Sequence, residues 1–497
     1  MRPFLKNTLR PARSISVRPS AVMLLVLPLT LLATGCAVGP NYERPGTVDI
    51  AQFKEIAGWV PAAPADALER GPWWQLFGDE QLNFLAAQVE VSNQNVAAAV
   101  AAYAQARALV QVQRASLFPA ATLSGNGNRS GASNNSGSTS STAGNSRVGS
   151  NYQLGIGASW EPDVWGRLGR AVDGASANAQ ASAADLATAR LSAQGELAIN
   201  YLSLRQLDAQ KGLLTSTLEG FRRTLSITQN RYSAGIATKT DVLQAQTQLA
   251  ITQADEVGLS RQRAQLEHAI AVLIGQAPAN FTLVPLAANT WRPVVPDVPL
   301  SVPSTLLQRR PDIAGAERRV AVANEQIGIS KSAYFPSLTL SASSSTSASR
   351  VANLFAAGSG AWALGLSAMQ VLFNAGATGA RVEAAQAAHE QAVARYRQTV
   401  LTAFADVENQ LTATRVLATQ QDLRQQASLA ADQVEQQVLN RYRAGQVSFT
   451  EVITAQTTAL SARRTLVQAV AERQTTAVAL IQSLGGGWQG LSTPTAP

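Results

Sequence analysis

The sequence predicts an α+β membrane protein in which one unit of long helices and paired strands occurs twice. Three observations predict this fold class. Two turn segments, Arg231–Gln246 and Arg441–Gln456, align without a gap. Proline is absent from two long stretches, 163–277 and 337–493, which favours long helices. Segments in which apolar residues alternate with small residues lie between the helical patterns. A duplication of this size is too long for a solenoid repeat, so both halves are expected to have the same architecture.

The N-terminus resembles a lipoprotein signal. Basic residues precede the apolar run Ala21–Ala33, and residues 1–35 contain no acidic residue. The apolar run is too short to span a bilayer. Cys36, the single cysteine of the chain, follows Gly35 at the position where such proteins are lipidated. Residues 1–35 are therefore predicted to be a signal peptide, and Ala37 rather than Asp after the cysteine points to the outer membrane. Much of the formal net charge of +8 falls on this segment, so no nucleic-acid partner is predicted.

The proline-free spans predict helices of very different lengths. Apolar and small residues recur every seven positions along them, as at Leu207, Leu214 and Phe221 and at Leu259, which is typical of coiled-coil packing. The expected helices are, in chain order, 92–115, 167–231, 239–275, 313–333, 375–441 and 449–483. Each half therefore contains a long helix that turns back into a shorter one.

Each helical hairpin is predicted to turn at a glycine. Gly235 and Gly445 follow the long helices, where glycine adopts the left-handed conformation that ends a helix. A pair of residues with capping-box spacing then begins the returning helix. These pairs are Thr238 with Asp241 and Ser448 with Glu451.

The alternating segments predict two strands in each half. Apolar residues in 154–160, 338–342 and 362–368 alternate with Gly, Ala, Ser or Thr, which suits lipid on one face and water on the other. The strand after Pro119 is less regular, and a soluble half-buried hairpin is an alternative for each strand taken alone. Four strands cannot close a barrel, and an open edge in a bilayer is costly. If the strands enter the membrane, several chains must share one barrel.

The sequence contains no recognisable catalytic constellation. His268 and His389 are its two histidines, each alone on a helical pattern. Zinc-protease, nucleophile-elbow and phosphate-loop motifs are absent. A lone cysteine also rules out a disulfide framework and a thiolate metal site. We therefore expect no enzyme activity, no cofactor and no metal.

Several short motifs occur in a characteristic order. They are Cys36–Pro45, Trp73–Leu82, Trp165–Arg167, Arg309–Ile313 with the following Ala316-Glu317, and the two Arg-Tyr-x-Ala-Gly turns. With these motifs, residues 36–485 resemble the outer-membrane factors of tripartite efflux systems, relatives of TolC, and specifically the NodT-type outer-membrane lipoproteins of RND efflux systems. Within them, Pro311 and Asp312 are good helix-start signals, and Trp73 and Trp74 are expected to be packing anchors.

The resemblance implies a homotrimer. Three times four strands make a 12-stranded β-barrel in the outer membrane, continued by a long α-helical coiled-coil barrel that extends into the periplasm. A periplasmic adaptor and an inner-membrane RND-type pump are the implied partners, and the implied function is a passive exit duct for drugs or other small molecules. The implied parts are a signal peptide, 1–35; a lipid-anchored N-terminal and equatorial segment, 36–78; a first repeat, 79–275; an equatorial connector, 276–312; a second repeat, 313–484; and a C-terminal tail, 485–497.

The two hairpin tips are the candidate sites. The residues expected to dock the adaptor are Arg231, Tyr232, Gly235, Arg441, Tyr442, Arg443 and Gly445. By the resemblance, Thr450, Glu451 and Thr454 line a periplasmic gate, with Thr454 where Asp is frequent in relatives. Structural roles stay open for the same residues, because the glycines end helices and Glu451 has the spacing of a helix cap.

Two other functions remain open at the level of sequence. One is a TolC-like exit for type I protein secretion. The lipidation motif and the Arg309–Ile313 segment favour efflux over this alternative. The other is a coiled-coil structural lipoprotein without a pore. The alternating strands and the repeat argue against this alternative. The exported compound is not predicted.

Overall fold

The structure is a computed structural model that describes residues 37–46, 53–55, 72–131, 148–287, 290–296, 298 and 310–486. The predicted signal peptide, Cys36, Arg309 and most of the predicted C-terminal tail lie outside the described residues. The chain divides into two compact units. The first contains Met1–Tyr42, Gln111–Gly174 and Asn324–Ala387, and the second contains Glu43–Val110, Ala175–Ala323 and Ala388–Pro497.

Apart from one additional helix, the helices and strands follow one another in the predicted order. They are α1 (Glu80–Ser92), α2 (Gln94–Ala115), β1 (Ala120–Gly131), β2 (Val148–Trp160), α3 (Arg167–Ser233), α4 (Lys239–Leu273), α5 (Pro311–Ser332), β3 (Ser337–Ala348), β4 (Gly360–Met369), α6 (Ala377–Arg443) and α7 (Phe449–Ser483). The six predicted helices are present, with ends within about two residues of those expected from proline and glycine positions. Among the described residues, no helix is both long enough and apolar enough to cross a membrane.

The repeat is visible in the helix lengths. The long helices α3 and α6 each contain 67 residues, and the returning helices α4 and α7 each contain 35. Helix α1 was not predicted. Asp79, just before it, caps its start: the Asp79 carboxylate accepts hydrogen bonds from the backbone N–H groups of Gln81 and Leu82 at 2.9 and 3.0 Å.

The first unit contains one antiparallel sheet in the order β1-β2-β3-β4. The pairing places Ile156 opposite Leu123 on one side and Ser344 on the other, and Ser344 is opposite Trp362. Because directly opposed residues share a face, the predicted apolar positions of β2, β3 and β4 lie on one face of the sheet. The other face carries small and polar residues such as Thr122, Gly157 and Ser343. The irregular segment after Pro119 is also a strand, as predicted.

The second unit is a bundle of helices with coiled-coil seams. Leu214 of α3, Leu259 of α4 and Leu460 of α7 form one buried cluster. Leu214 and Leu259 are members of the sevenfold repeats in the sequence, so the predicted seams are confirmed there. Trp73 and Trp74 are also buried, with ring centroids 5.8 Å apart, in agreement with a packing role.

In each half, a carbonyl at the end of the returning helix accepts a hydrogen bond from a side chain that lies just before another helix. The donor is an asparagine in the first half and an arginine in the second. Asn93, just before α2, donates its side-chain amide to the Leu273 carbonyl at 2.7 Å. Arg310, just before α5, donates to the Ser483 carbonyl at 3.2 Å and forms a bidentate pair with Asp312 at 2.7 and 3.1 Å. Each residue therefore satisfies a carbonyl at the end of a helix, which lacks a partner within the helix itself.

Arg310 also forms an ion pair with a second aspartate, in the long helix α6. Its Nη1 lies 3.4 Å from a carboxylate oxygen of Asp406 in α6. Burial lowers the pKa of the Arg310 guanidinium, but the hydrogen bonds and charges of Asp312 and Asp406 outweigh that effect and leave the pKa raised. The guanidinium thus stays charged while it joins the start of α5 to α6 and α7.

Candidate functional site: the hairpin tips and the anchor segment

The first hairpin tip closes in the way the sequence predicts. Gly235 has φ +74°, and its N–H donates to the Tyr232 carbonyl at 2.9 Å. The next N–H, from Ile236, donates to the Arg231 carbonyl at 2.8 Å. Thr238 and Asp241 then form a reciprocal capping box with bonds of 2.9 and 3.2 Å. These bonds satisfy groups that both helix ends would otherwise leave without a partner.

The second tip repeats this geometry. Gly445 has φ +76° and donates to Tyr442, and Gln446 donates to Arg441, both at 2.9 Å. Both the backbone N–H and the hydroxyl of Ser448 lie 3.3 Å from Glu451 Oε1. These contacts are longer than those of the first capping box. Glu451 therefore has a structural contact at the start of α7, whatever else it does.

The two tip tyrosines occupy equivalent positions but different environments. Tyr232 is 47% exposed, whereas Tyr442 is 4% exposed. Tyr442 packs against Phe449, with ring centroids 5.5 Å apart, in a cluster with Ala245 and Val452. The Tyr442 side chain is thus not accessible to a partner in this conformation, although it was one of the predicted docking residues.

Arg231 connects the two tips. Its guanidinium carbon lies 4.7 Å from the centre of the Tyr442 ring, and its Nη1 donates to the Tyr442 carbonyl at 2.8 Å. The Thr228 and Tyr442 hydroxyls are 3.5 Å apart. A cation over an aromatic face is attracted by the ring, and the hydrogen bond fixes its position. The repeated Arg-Tyr dipeptide was visible in the sequence, but nothing in it indicated which arginine contacts which tyrosine.

The remaining predicted docking residues present an accessible surface. Tyr232, Arg441 and Arg443 are exposed, and Arg443 contacts only the nearby Asn440 side chain at 3.4 Å among the bonds of the described residues. The structure therefore leaves an aromatic ring and two guanidinium groups available around the two turns.

The predicted gate residues lie on one exposed face of α7. Thr450, Glu451 and Thr454 are all exposed, and the spacing of three or four residues places them side by side. The Thr454 hydroxyl donates to the Thr450 carbonyl at 3.0 Å, so it is satisfied within the helix. They line an open groove of about 390 Å³ together with Val434 and Val438 of α6. Glu451 is the one charged side chain among the residues that line this groove.

A second feature, in the first unit, is the segment 37–42 that follows the predicted lipidated cysteine. We call it the anchor segment. The Val38 N–H donates to the Trp165 carbonyl at 3.1 Å. The Pro40 carbonyl accepts hydrogen bonds from Arg170 Nη1 at 3.1 Å and from Asn324 Nδ2 at 3.2 Å. Gly39, at φ +116°, lies against the backbone of Gly328, where a Cβ would not fit.

Buried charges orient the residues that bind the anchor segment. Arg170 pairs with Glu325 at 2.7 Å, and both side chains are largely buried. Asp173 lies nearby. Its side chain is partly exposed; partial burial and the negative charge of Glu325 raise its pKa, and the positive charge of Arg170 opposes them. No motif in the sequence indicates this cluster, because its members come from two distant parts of the chain.

No cluster of three or more His, Cys, Asp or Glu side chains arranged to hold a metal ion occurs in the described part of the chain. The features that stand out are instead a sheet with one apolar and one polar face and a pair of connected helical tips. A sheet with one apolar and one polar face suits a boundary between lipid and water.

The comparison with known sequences gives the family. The model of the outer membrane efflux protein family matches residues 85–276 and 302–486. The chain belongs to this family, which is a family of channels and not of enzymes. It is an outer-membrane efflux channel.

Individual relatives match over nearly the whole chain. The pyoverdine export outer membrane protein OpmQ of Pseudomonas aeruginosa is 31% identical over 468 residues, which are 92% of this chain and 95% of OpmQ. The cation efflux system protein CusC of Escherichia coli is 28% identical over 473 residues, 95% of this chain and 100% of CusC. The solved structure of the outer-membrane channel OprN has a TM-score of 0.80 at 30% identity and covers 91% of this chain and 100% of OprN.

Proposed function

We propose that three copies of this chain form one 12-stranded β-barrel in the outer membrane, continued by an α-helical coiled-coil barrel in the periplasm. The assembly is a passive exit duct for drugs or other small molecules. A periplasmic adaptor and an inner-membrane RND-type pump deliver the cargo and supply the energy. Cys36 carries the lipid that anchors each chain.

The observation that carries this proposal is the sheet. Strands β1 and β4 each pair on one side only within the described residues. In hydrocarbon, each backbone group without a partner costs several kcal/mol. The apolar face is also exposed, with Leu123, Trp362 and Leu364 each more than about 75% accessible. Pairing β4 of one copy with β1 of the next satisfies both edges and leaves lipid as the solvent of the apolar face.

The polar face of the sheet supports a duct of low selectivity. It carries Ser, Thr, Asn and Gln side chains with Gly and Ala between them, rather than a convergent set of charged groups. Relatives named for pyoverdine export and for cation efflux match this chain to a similar degree. We infer that cargo is selected by the pump and that the channel accepts what the pump delivers.

The tips supply the proposed docking and gating functions. The exposed Tyr232, Arg441 and Arg443 surround the turns at Gly235 and Gly445, where a hairpin of the adaptor would pack. Thr450, Glu451 and Thr454 would line the constriction inside the helical barrel. The parts 79–275 and 313–484 would be the two repeats of each subunit, with 36–78, 276–312 and 485–497 in the equatorial region.

Two measurements test the proposal. Native mass spectrometry of the detergent-extracted protein should give the mass of three chains, and a stable monomer with channel activity would contradict the architecture. Deletion of the gene should lower tolerance to drugs and leave protein secretion unchanged. A secretion defect without loss of tolerance would favour a type I secretion channel instead.

A further inference from the structure

The apolar face of the sheet contains a groove that is not explained by barrel formation. Its volume is about 470 Å³. Small side chains form its floor, since Ala158 lies opposite Ala342 in the strand pairing. Larger residues form the wall in the next row, where Trp160 lies opposite Leu340 and Leu340 opposite Leu366. Pro119 and Leu364 complete the apolar lining.

The wall of the groove is fixed. The Trp160 indole N–H donates to the Leu117 carbonyl at 2.9 Å, which holds the ring at the end of β2. Trp165, five residues further along the chain, donates its own indole N–H to the Pro336 carbonyl at 2.8 Å and stacks on Phe335, with ring centroids 4.8 Å apart. The end of β2 and the start of β3 thus present an apolar surface that hydrogen bonds hold in place.

The anchor segment contacts the chain just beyond this end of the sheet. Ala37 lies against Gly166, where an added Cβ would come within 3.0 Å of the Ala37 side chain. Gly166 is six residues after Trp160, and the chain turns between them, with the Val164 N–H bonded to the Pro162 carbonyl at 2.9 Å, so the two are closer than the ~20 Å of an extended segment. One leaflet of the hydrocarbon core is roughly 15 Å thick, which is the reach of one acyl chain. An acyl chain attached to the residue before Ala37 is thus comparable in length to the distance between Gly166 and the groove wall at Trp160.

We propose that an acyl chain attached to Cys36 occupies the groove floored by Ala158 and Ala342. This inference depends on the lipidation of Cys36 included in the proposed function. A membrane phospholipid loses translational freedom when it settles in the groove, whereas the acyl chain on Cys36 is already held beside it by the Val38 and Pro40 hydrogen bonds. The gain is packing of the chain against the small side chains, because lipid itself is as apolar as the groove.

The test uses a photoreactive fatty acid supplied to cells that express the full chain. After irradiation, mass spectrometry locates crosslinks between the Cys36 peptide and the rest of the chain. We expect them to concentrate on β2 and β3 around Ala158 and Ala342. Ala342→Leu, which fills the floor, should reduce these crosslinks several-fold. Ala368→Leu makes the same change on the same face outside the groove lining and should leave them unchanged.

The outcomes separate the two proposals. If the label is absent from the protein itself, lipidation of Cys36 is refuted and the groove proposal with it. If Cys36 is labelled but its crosslinks are spread over the sheet, or are the same in Ala342→Leu, the groove proposal alone is refuted. In Cys36→Ser, any crosslinks at Ala158 and Ala342 come from bulk phospholipid, and an undiminished yield there would also overturn the proposal.

Discussion

The Arg231 guanidinium lies 4.7 Å from the centre of the Tyr442 ring and donates to the Tyr442 carbonyl at 2.8 Å, so the first hairpin tip binds the second. Both residues belong to the same Arg-Tyr-x-Ala-Gly motif in different repeats. The internal repeat is therefore not symmetrical in its contacts, because Tyr442 is buried and contacts Arg231 while Tyr232 remains exposed. If the tips must separate for the channel to open, this contact favours the closed arrangement.

The first prediction concerns that contact. Arg231→Ala removes a cation–π contact and a charged hydrogen bond, worth together on the order of 1–3 kcal/mol. We expect higher single-channel conductance and greater sensitivity of cells to large antibiotics. Arg231→Lys should be intermediate, since it keeps the charge and loses the planar group. Arg222→Ala removes the same charge from an exposed position of the same helix, and an equal effect there would show that net charge, not the tip contact, controls the channel.

The second prediction compares the two capping acids. Asp241→Ala breaks the shorter capping box and should lower stability by about 0.5–2 kcal/mol, with conductance unchanged. Glu451→Ala should raise conductance, because it removes the charged side chain among the proposed gate residues, and should cost less stability. Planar-bilayer recordings and thermal unfolding of both variants distinguish the roles. Equal leakiness in both, or in neither, would leave Glu451 as a helix cap alone.

The third prediction uses the equivalent residues Asn93 and Arg310. Arg310→Ala leaves the Ser483 carbonyl and the Asp312 carboxylate without their partner and should destabilise the protein by about 2 kcal/mol or more. Asn93→Ala loses the bond to Leu273 and two bonds that cap α2, at a cost of about 1–2 kcal/mol. Urea unfolding in detergent measures both. A negligible effect of Arg310→Ala would show that Arg310 does not stabilise the junction of α5, α6 and α7.

The fourth prediction concerns pH. The raised pKa of Asp173 means that the folded state binds its proton more tightly than the unfolded state does. The ionised carboxylate therefore destabilises the fold at neutral pH, and this penalty disappears as the pH falls below the ordinary range of an aspartate. We expect Asp173→Asn to raise the unfolding temperature at pH 7 and to have little effect in acid. An Asp173→Asn variant that is less stable than the parent at pH 7 would reverse the sign and contradict the assignment.

The sequence predicted the repeating elements well because their signals are local. Absence of proline located the long helices, and glycine with a capping pair located the tips to within a residue or two. Alternation located β2, β3 and β4, and the strand pairing places their apolar residues on one face. Helix α1 was missed because Asn93, which ends α1 and caps α2, is followed at once by another helix with no proline or glycine between them.

The contacts between distant segments were not predictable. Tyr232 and Tyr442 share the Arg-Tyr-x-Ala-Gly motif, but Tyr442 packs against Phe449, where the first repeat has Lys239, and against Ala245 of the other hairpin. The cluster of Arg170, Asn324 and Glu325 that binds the anchor segment combines residues from two distant regions with no shared motif. Such sites depend on tertiary packing, which local patterns do not encode.

The fifth prediction uses two adjacent serines of β3 that lie on opposite faces of the sheet. Ser344 lies between Ile156 and Trp362 on the apolar face, and Ser343 lies between Gly157 and Ala363 on the polar face. An arginine facing lipid near the bilayer midplane costs about 2–4 kcal/mol, whereas one facing a water-filled lumen alters selectivity instead. Ser344→Arg should therefore lower the amount of assembled protein in the outer membrane, and Ser343→Arg should assemble normally.

The most direct measurement of the central claim is the ion selectivity of purified Ser343→Arg in planar bilayers. If copies of this chain share one barrel with the polar face inward, each copy adds a positive charge to the lumen. The reversal potential should then shift toward anion selectivity relative to the parent channel, while Ser344→Arg that does assemble should keep the parental selectivity. An unchanged reversal potential for Ser343→Arg, or the same shift for both variants, would contradict a pore lined by this face of the sheet.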